Sequence, residues 1–538
     1  MDVLIAATKL VFDPFVLWVI LASSAFGIFV GAMPGLTATM ATALLVPVTF
    51  FMPPVPALGA IVTATAMAIF AGDIPAAMLR MPGTPASAAY TDESYAMARK
   101  GELDLNLGVN LVFSVTGGLA GVVVLIICAP ALAEFAIHFS SFEYFWLALL
   151  GLTCAIFIAT DAPLKGIVSL LLGLAINCIG IDPAAGYPRF TFGSVELLQG
   201  ISFIPAMIGM FAVSELMRGV VAIDQRGAVL TQKIGNIFIG VWNVWKRYWL
   251  NFIRGSAIGV LIGALPGAGA DIAAWISYAI SKKFSKEPEK FGTGHIEGIV
   301  DATSANNSAL GGAWIPALVF GIPGDSITAI VIGVLYMKGM NPGPTVFLQN
   351  PQFIYAVFLI FILANLLMLP LGWAAIKSSK QILRVPRNIL IPVILLFCIV
   401  GSYAMTNSIY GVIMMLVFGV LGWIMEENGF PIAPAILGLV LGEMLEQNFM
   451  TSMIKSDGAF LAFFERPIAG VLGVATLLIW VTILWRGGQP FDRPGRADRA
   501  RRVNFLGVGL AGRPKRQRSR GRRGASCGGR CLPRNEHQ

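Results

Sequence analysis

Three aspartates stand beside proline–glycine steps in otherwise apolar parts of the chain: Asp73, Asp271 and Asp325. A carboxylate inside a membrane is costly and usually serves a function, so each of the three can bind Na⁺ or carry a proton. Asp271 is the strongest candidate, because it follows Gly267 within about one helical turn. The alternative is a helix cap or a surface position near a membrane boundary, and for Asp73 the two interpretations stand level.

Hydroxyl, amide and glycine residues gather around the same steps and form a second candidate set. A half-helix that starts after a break directs its amide donors and the positive end of its dipole at the space before it, which suits an anion. Together with side-chain donors, these amides can hold a carboxylate without an arginine. The candidate substrate-binding residues are Gly35, Thr37, Gly83, Thr84, Ser87, Gly267, Gly269, Asn306, Asn307, Gly324, Ser326 and Thr328.

Packing offers an alternative explanation for the small residues in this set. Glycine and small polar residues also let membrane helices approach each other closely, and for any single site this is the better explanation. Asn306 and Asn307 can be a helix cap or a ligand. Arg80 is the only basic residue within the motifs, and its long side chain is suited to reaching the interface.

The breaks themselves occur at Pro34, Pro82, Pro266 and Pro323, each followed by glycine. Proline removes an amide donor and glycine permits unusual torsions, so each step is a candidate hinge or hairpin turn. Freed backbone in the hydrocarbon region is tolerated only where protein or a water-filled cavity surrounds it. The four breaks therefore predict a polar cavity.

The four breaks belong to two matched pairs, which indicates an internal duplication. The stretch GIFVGAMPGLTATMATAL (Gly27–Leu44) returns as GVLIGALPGAGADIAAWI (Gly259–Ile276), and the stretch Ile74–Ala88 returns as Ile315–Ala329. Paired, interrupted apolar segments in two halves of a chain are the sequence sign of a secondary transporter's binding site.

The composition is that of a membrane protein. Of the 538 residues, 56% are apolar and only 12% are charged, with a mean hydropathy of +0.77; soluble domains carry about 25% charged residues. Charge-free runs such as Pro14–Gly72 exceed the roughly 18 apolar residues of a spanning helix and do not alternate as barrel strands do. We therefore predict an all-α polytopic membrane protein with two internal, inverted repeats, built from Pro-Gly-broken helices or re-entrant hairpins. We interpret the apolar N-terminal segment as a first membrane span and not as a signal peptide that is removed.

The net charge of +9 is misleading, because a basic tail supplies it and the rest of the chain is slightly acidic. The Arg/Gly-rich composition of that tail predicts disorder. The tail either contacts anionic lipid headgroups or, as the better interpretation, is an extension without a role, and no nucleic-acid partner is expected. We expect a first membrane repeat at 1–225, a basic cytoplasmic linker at 226–254, a second membrane repeat at 255–485 and the tail at 486–538.

Basic loops predict the orientation of the two copies. The stretches Arg218–Arg254, Lys282–Lys290 and Lys377–Arg387 are rich in lysine and arginine and are expected on the cytoplasmic side. If so, Gly255–Ser281 must enter the membrane and return to the same side. The first copy has uncharged flanks and can enter from the opposite side, which would make the repeat inverted.

Histidine and cysteine are too sparse for metal or redox chemistry. The chain has three histidines and six cysteines, and their spacing matches no metal-binding or disulfide pattern. The sequence thus predicts no catalytic residue, no enzyme activity and no cofactor, apart from Na⁺ or H⁺ as a coupling ion.

Several motifs resemble the large membrane subunit, TctA, of the tripartite tricarboxylate transporter family, over about Phe15 to Gly470. They stand in one order along the chain: GAMPGLTATMATALLVPVTF from Gly31, RMPGTPASA from Arg80, EYFWLALLGLT from Glu143, GIDPAAGYPRFTFG from Gly180, GALPGAGADIAAWISYAISKKF from Gly263, SANNSALGGAWIPALVFGIPGD from Ser304 and SDG from Ser456.

This resemblance implies a multi-pass permease of the bacterial inner membrane that imports a tricarboxylate or related organic acid. In the family, a cation gradient drives uptake, a periplasmic solute-binding protein (TctC-like) delivers the carboxylate, and a small four-helix membrane subunit (TctB-like) completes the complex. Two departures stand out: the family usually has EAANN where this chain has Thr303 to Asn307, and commonly GIPGS where it has Asp325. The competing readings are a polytopic membrane enzyme and a scaffold without transport.

Overall fold

The computed structural model describes residues 2–33, 36–156, 163–182, 186–221, 234–265, 269–383 and 387–487. Its described part is almost entirely helical, as the composition predicts. The tail after 487 and residues 226–233 of the predicted linker lie outside the described residues, as do Pro34, Gly35, Pro266 and Gly267.

The N-terminal part contains seven helices. They are α1 (Asp2–Val11), α2 (Pro14–Gly31), α3 (Ala38–Phe50), α4 (Pro54–Ala71), α5 (Asp73–Leu79), α6 (Thr91–Arg99) and α7 (Leu103–Ala136). Local sequence sets their starts: Asp13 caps α2 by accepting a hydrogen bond from the Phe15 amide at 2.9 Å, ahead of a proline at the first helical position.

A second group of elements leads to the middle of the chain. The helices are α8 (Ser141–Ile156), α9 (Pro163–Asn177), α10 (Phe203–Met207) and α11 (Ser214–Val221), with a π-helical segment, Ile208–Val213, joining the last two. Two short strands, β1 (Gly180–Ile181) and β2 (Pro188–Arg189), pair antiparallel after α9. Arg189 holds them against α20 (Ile432–Lys455), since its guanidinium donates to both Glu446 carboxylate oxygens at 2.6 and 3.0 Å.

The second copy of the broken motif lies in α12 (Val241–Gly263), α13 (Gly269–Phe284), α14 (Ile296–Phe320), α15 (Ser326–Met337) and α16 (Pro344–Gln349). The predicted linker, 226–254, differs from the structure here, because α12 already begins at Val241. Gly240 has φ 85° and starts the helix, whereas the run of basic residues suggested a loop.

The remaining helices are α17 (Pro351–Ile382), α18 (Arg387–Thr406), α19 (Ile409–Glu427), α20, α21 (Ala462–Glu465) and α22 (Pro467–Gly487). Among the described residues, five helices are long and apolar enough to cross a membrane: Pro14–Gly31, Pro54–Leu79 (across α4 and α5), Leu103–Ala136, Pro351–Ser379 and Ile409–Glu427. Shorter apolar helices, including α3 and α15, begin beside the breaks.

Two helices form the centre of the bundle. α4 is buried from Val55 to Ala71, and α14 is buried from Gly298 to Val319. Small residues make this possible: a Cβ added at Gly27 or Gly31 would lie 2.2 or 2.3 Å from the carbonyl oxygen of Ala64 or Ala68 on α4. The α2 and α4 backbones are therefore in direct contact, as at other small-residue helix crossings in membranes.

The same contact recurs between α12 and α14. A Cβ at Gly259 or Gly263 would lie 2.4 or 2.3 Å from the carbonyl oxygen of Ala305 or Ala309. Gly259 and Gly263 are the sequence counterparts of Gly27 and Gly31, so matching residues make matching contacts. In both pairs the contacts advance together along the two chains, and the paired helices run parallel.

The two pairs run in opposite directions, as the packing of α7 and α17 shows. Helix α17 runs parallel to α4, α7 runs antiparallel to α17, and α14 runs parallel to α7. The close contacts that establish this are Gly59–Ile360 and Phe70–Gly372, then Gly118–Asn365 and Leu111–Gly372, then Gly117–Ser304 and Gly121–Ser308. It follows that α4 and α14 are antiparallel.

Candidate functional site

The second and fourth breaks lie directly on the ends of the neighbouring helices. A Cβ at Gly83 would lie 2.8 Å from the Gly31 carbonyl oxygen, where α2 ends, and one at Gly324 would lie 2.7 Å from the Gly263 carbonyl oxygen, where α12 ends. Gly31 and Gly263 are counterparts in the two copies. Each copy therefore brings its second break against the helix end that precedes its first break.

A cavity of about 360 Å³ lies where the broken helices of both copies begin. The first residues of α3, α13 and α15 line it, so three helix N-termini face one space. Of the residues predicted from sequence, those that line the cavity are Thr37, Thr84, Gly269, Asp271, Asn306, Asp325 and Ser326. Thr39 lines it as well.

Thr37 and Asp325 occupy equivalent positions as caps of the helices that follow a break. The Thr37 hydroxyl accepts from the Met40 amide at 3.2 Å, and Asp325 Oδ1 accepts from the Thr328 amide at 2.8 Å. The Thr328 hydroxyl in turn accepts from the Asp325 amide at 2.9 Å, completing a capping box. The Asp325 side chain makes its capping hydrogen bond through Oδ1, and Oδ2 takes no part in the cap.

Gly269 brings the starts of α13 and α15 together. It has φ +60°, and an added Cβ would lie 2.6 Å from Cβ of Asp325. Only glycine fits both the left-handed backbone and this approach. As a result Asp325 and Asp271, which is exposed towards the cavity, stand at the same wall.

Asp271 also connects the two copies. Its Oδ1 accepts a hydrogen bond from the Ala86 amide at 3.1 Å, so the start of α13 is tied to the loop after the second break. Trp275, one turn further along α13, donates to the Pro85 carbonyl oxygen at 3.3 Å. The cavity wall is thus continuous from one copy to the other.

Several predicted residues do not line the cavity. Ser87 is fully buried. Its hydroxyl accepts from the Thr84 amide and its own amide donates to the Thr84 hydroxyl, each at 3.1 Å. Asn307 faces α7, where its amide donates to the Ser114 hydroxyl at 2.9 Å. Buried positions outside the lining are also found for Asp73, Gly83, Pro323, Gly324 and Thr328, while Pro82 is exposed.

The model of the tripartite tricarboxylate transporter TctA family matches residues 17–437 of the chain. The chain belongs to this family. With its apolar helices, the TctA-family chain is a multi-pass protein of the bacterial inner membrane, and its family forms part of a tripartite system. The matched residues begin close to Phe15, where the resemblance begins, and end before the SDG motif at Ser456.

Two proteins of Agrobacterium vitis are similar to this TctA-family chain. An uncharacterized 52.8 kDa protein in the TAR-I ttuC' 3' region is 34% identical over 456 residues, which cover 84% of the chain and 90% of that protein. An uncharacterized protein in the TAR-II ttuC' 3' region is 35% identical over 227 residues, covering 42% and 94%. No solved structure matches the chain.

Sequence reasoning missed one group of residues of the TctA-family cavity. Arg218 donates to Glu215 at 3.0 Å and to Glu426 at 2.9 Å, and all three side chains line the cavity. In the sequence, Arg218 counts only as the first residue of the basic stretch Arg218–Arg254. The signal was present in the sequence, because Glu215 and Arg218 are spaced to face each other on a helix that follows a charge-free apolar segment.

The residues just before α12 contact the ends of two other helices. Lys377 at the end of α17 donates to the Ile234 carbonyl oxygen at 3.0 Å, and Asp104 at the start of α7 accepts from the Gly235 amide at 2.9 Å. The end of α17, the start of α7 and residues 234–235 before α12 therefore lie together.

Proposed function

We propose that this chain is the permease subunit of an importer that moves an organic carboxylate across the bacterial inner membrane, driven by a cation gradient. The observation that carries the proposal is the convergence of three helix N-termini on one cavity beside two aspartates. Helix N-termini favour an anion, and carboxylates at the same wall favour a cation. One cavity can therefore bind a substrate and its coupling ion together.

The substrate half of the site consists of uncharged donors. The cavity is lined by three hydroxyls, one side-chain amide and a glycine backbone: Thr37, Thr84, Ser326, Asn306 and Gly269. Hydrogen bonds from neutral donors to a carboxylate are charge-assisted and stronger than those between neutral groups. Gly35 and Gly267, next to the breaks, complete the substrate set that we propose.

The cation half of the site consists of Asp271 and Asp325. Their acidic oxygens, with Asn306 Oδ1, which has no hydrogen-bond partner, offer the oxygen ligands that a hard cation such as Na⁺ prefers. A cation bound there would offset the negative charge that these carboxylates present to an incoming anion. Co-binding of this kind couples the two gradients, because each ligand improves the site for the other.

We further propose alternating access by movement of one copy against the other, with hinges at Pro34, Pro82, Pro266 and Pro323. Matching contacts in antiparallel helix pairs support an inverted repeat, which is the architecture on which rocking of two halves around a fixed site is built. The ion pairs of Arg218 lie at the cavity wall, where they can act as a gate.

The proposed partners are a periplasmic solute-binding protein (TctC-like), a small four-helix membrane subunit (TctB-like) and the surrounding lipids. The binding protein would set the choice of carboxylate. In this proposal the chain is a permease and not an enzyme or a scaffold, and it needs no cofactor beyond the coupling cation.

Uptake of radiolabelled citrate and of smaller di- and monocarboxylates by a bacterial host tests the proposal. The host carries the chain with the two partner genes, and a thermal-shift screen of the binding protein against organic acids selects the probes. We expect uptake that needs both the chain and the binding protein and that stops when ionophores collapse the cation gradient. Uptake that persists without the chain, or in de-energised cells, would reject the proposal.

A further inference from the structure

A row of buried polar side chains leads from the cavity to Asp73, and the proposed carboxylate and cation sites use only its first member, Asn306. The Asn306 amide, at the cavity wall, donates to the Tyr90 hydroxyl oxygen at 3.4 Å. The Tyr90 hydroxyl donates to Asp73 Oδ1 at 2.5 Å. All three side chains are at most 1% exposed. Asp73 therefore communicates with the cavity through Tyr90 and Asn306.

Asp73 is not a helix cap, although it is the first residue of α5. No side-chain capping bond is formed at the start of α5. Its second oxygen, Oδ2, is buried and has no hydrogen-bond partner. Buried polar atoms are rarely left without a partner, so an unpartnered carboxyl oxygen calls for an explanation.

Charged residues on the helices that pack against α5 do not neutralise Asp73. Within the described residues, Tyr90 is the titratable group in contact with it. The other charged groups near the ends of α6 and α7 have their own surroundings: Asp92 pairs with Arg80, Glu93 accepts from Tyr278, Asp104 accepts from Gly235, Arg99 and Lys100 are exposed, and on α14 Asp301 pairs with Arg254. An ionised Asp73 would be an unpaired charge in apolar surroundings, which costs several kcal/mol.

A metal cation does not fit at Asp73. The carboxylate and the Tyr90 phenol provide three oxygens, whereas hard cations take about six or more. A proton satisfies the geometry, because it neutralises the carboxyl group without further ligands.

We propose that Asp73 is a proton site of this chain, loaded and unloaded through the Tyr90 hydroxyl and distinct from the cation site at Asp271 and Asp325. In the loading step, a hydronium ion enters from the cavity past Asn306 and gives its proton to the Tyr90 oxygen, leaving water, while the Tyr90 proton passes to the Asp73 carboxylate, so that tyrosine stays neutral. Asn306, which lines the cavity, is a positioning residue that donates to the buried Tyr90 oxygen. Only the coupling of this proton to uptake rests on the proposed function.

Infrared difference spectroscopy between mildly acidic buffer, in which exposed carboxylates stay ionised, and alkaline buffer tests the site on the full chain in lipid nanodiscs, with no substrate present. A protonated carboxyl group gives a C=O stretching band that shifts in D₂O. We expect this band in the wild type and its loss in Asp73→Asn. Tyr90→Phe should keep the band and move it to higher frequency, because the carboxyl group loses a hydrogen bond. Asp92→Asn, an exposed acid close in sequence, is the matched control and should change nothing.

A band that survives in folded Asp73→Asn, a wild type without the band, or a band that Tyr90→Phe leaves unmoved would overturn the proposal. If Asp73→Asn does not fold, the Tyr90→Phe shift decides alone. Failure of the transport function gives a different result: no labelled carboxylate enters cells, yet the band still disappears in Asp73→Asn, and the proton site stands.

Discussion

Asp325 combines two roles that substitution can separate, because it caps α15 and contributes to the proposed cation site. Serine caps a helix about as well as aspartate, while replacing a cap with alanine costs about 1 kcal/mol. Asp325→Ala should therefore lower the free energy of unfolding by about 1 kcal/mol, whereas Asp325→Ser should leave it within a few tenths. Both variants remove the carboxylate and should lose their response to Na⁺.

The size of that response follows from binding linkage. A cation at ten times its Kd stabilises the folded protein by about 1.4 kcal/mol, provided that the unfolded chain does not bind it. The assay is denaturant unfolding of purified protein in nanodiscs, in matched sodium and choline buffers. The wild type should be more stable in sodium by about this amount, and Asp325→Ser should show no difference.

Thr328→Val is the matched control for the Asp325 series. It removes the hydroxyl that accepts from the Asp325 amide at 2.9 Å but keeps the carboxylate. This variant should lose cap stability and retain the response to sodium. The reasoning is refuted if Asp325→Ser responds to sodium like the wild type, or if the wild type is equally stable in both buffers.

Three further predictions concern helix packing, ion coupling and the hydrogen bonds that the buried Glu93 side chain accepts from a loop. Gly31→Ala places a Cβ 2.3 Å from the Ala68 carbonyl oxygen and should destabilise the protein by about 1–3 kcal/mol in the same unfolding assay, whereas Gly59→Ala, with neighbours at 3.5 Å, should be near neutral. Asp271→Asn should abolish labelled-carboxylate uptake while immunoblots show normal membrane levels; full uptake would exclude a coupling role. Glu93→Gln weakens hydrogen bonds from the backbone at 292–295 and should speed limited proteolysis of that loop, while exposed Asp92→Asn should not; equal rates would contradict it.

The positions of the breaks could be predicted from sequence because proline and glycine act locally. Helices α2 and α12 end at Gly31 and Gly263, and α3, α13 and α15 begin shortly after the predicted steps. Local chemistry also explains the cap at Asp325. The gathering of these helix ends around one cavity followed from the rule that broken backbone in a membrane must line a cavity or lie within protein.

Which side chain faces the cavity could not be predicted. Asn306 and Asn307 are neighbours, but successive residues on a helix point about 100° apart, so one lines the cavity and the other bonds to Ser114 on α7. Ser87 and Thr328 are hydroxyls that either cap locally or bind a ligand, and sequence does not decide between these uses. The contact of Arg218 with Glu426 joins distant parts of the chain.

The longest helix of each half of the chain, α7 in the first and α17 in the second, lies between the two copies. At 34 and 32 residues, α7 and α17 reach roughly 50 Å at 1.5 Å per residue, well beyond a hydrocarbon core of about 30 Å. Helix α17 packs on α4, and α7 packs on α14. If the two copies move against each other as proposed, α7 and α17 must therefore slide past one another. Gly118 packs against the Asn365 side chain at this interface, so in the proposed transport cycle the tightness of that contact would limit the rate at which the two copies move.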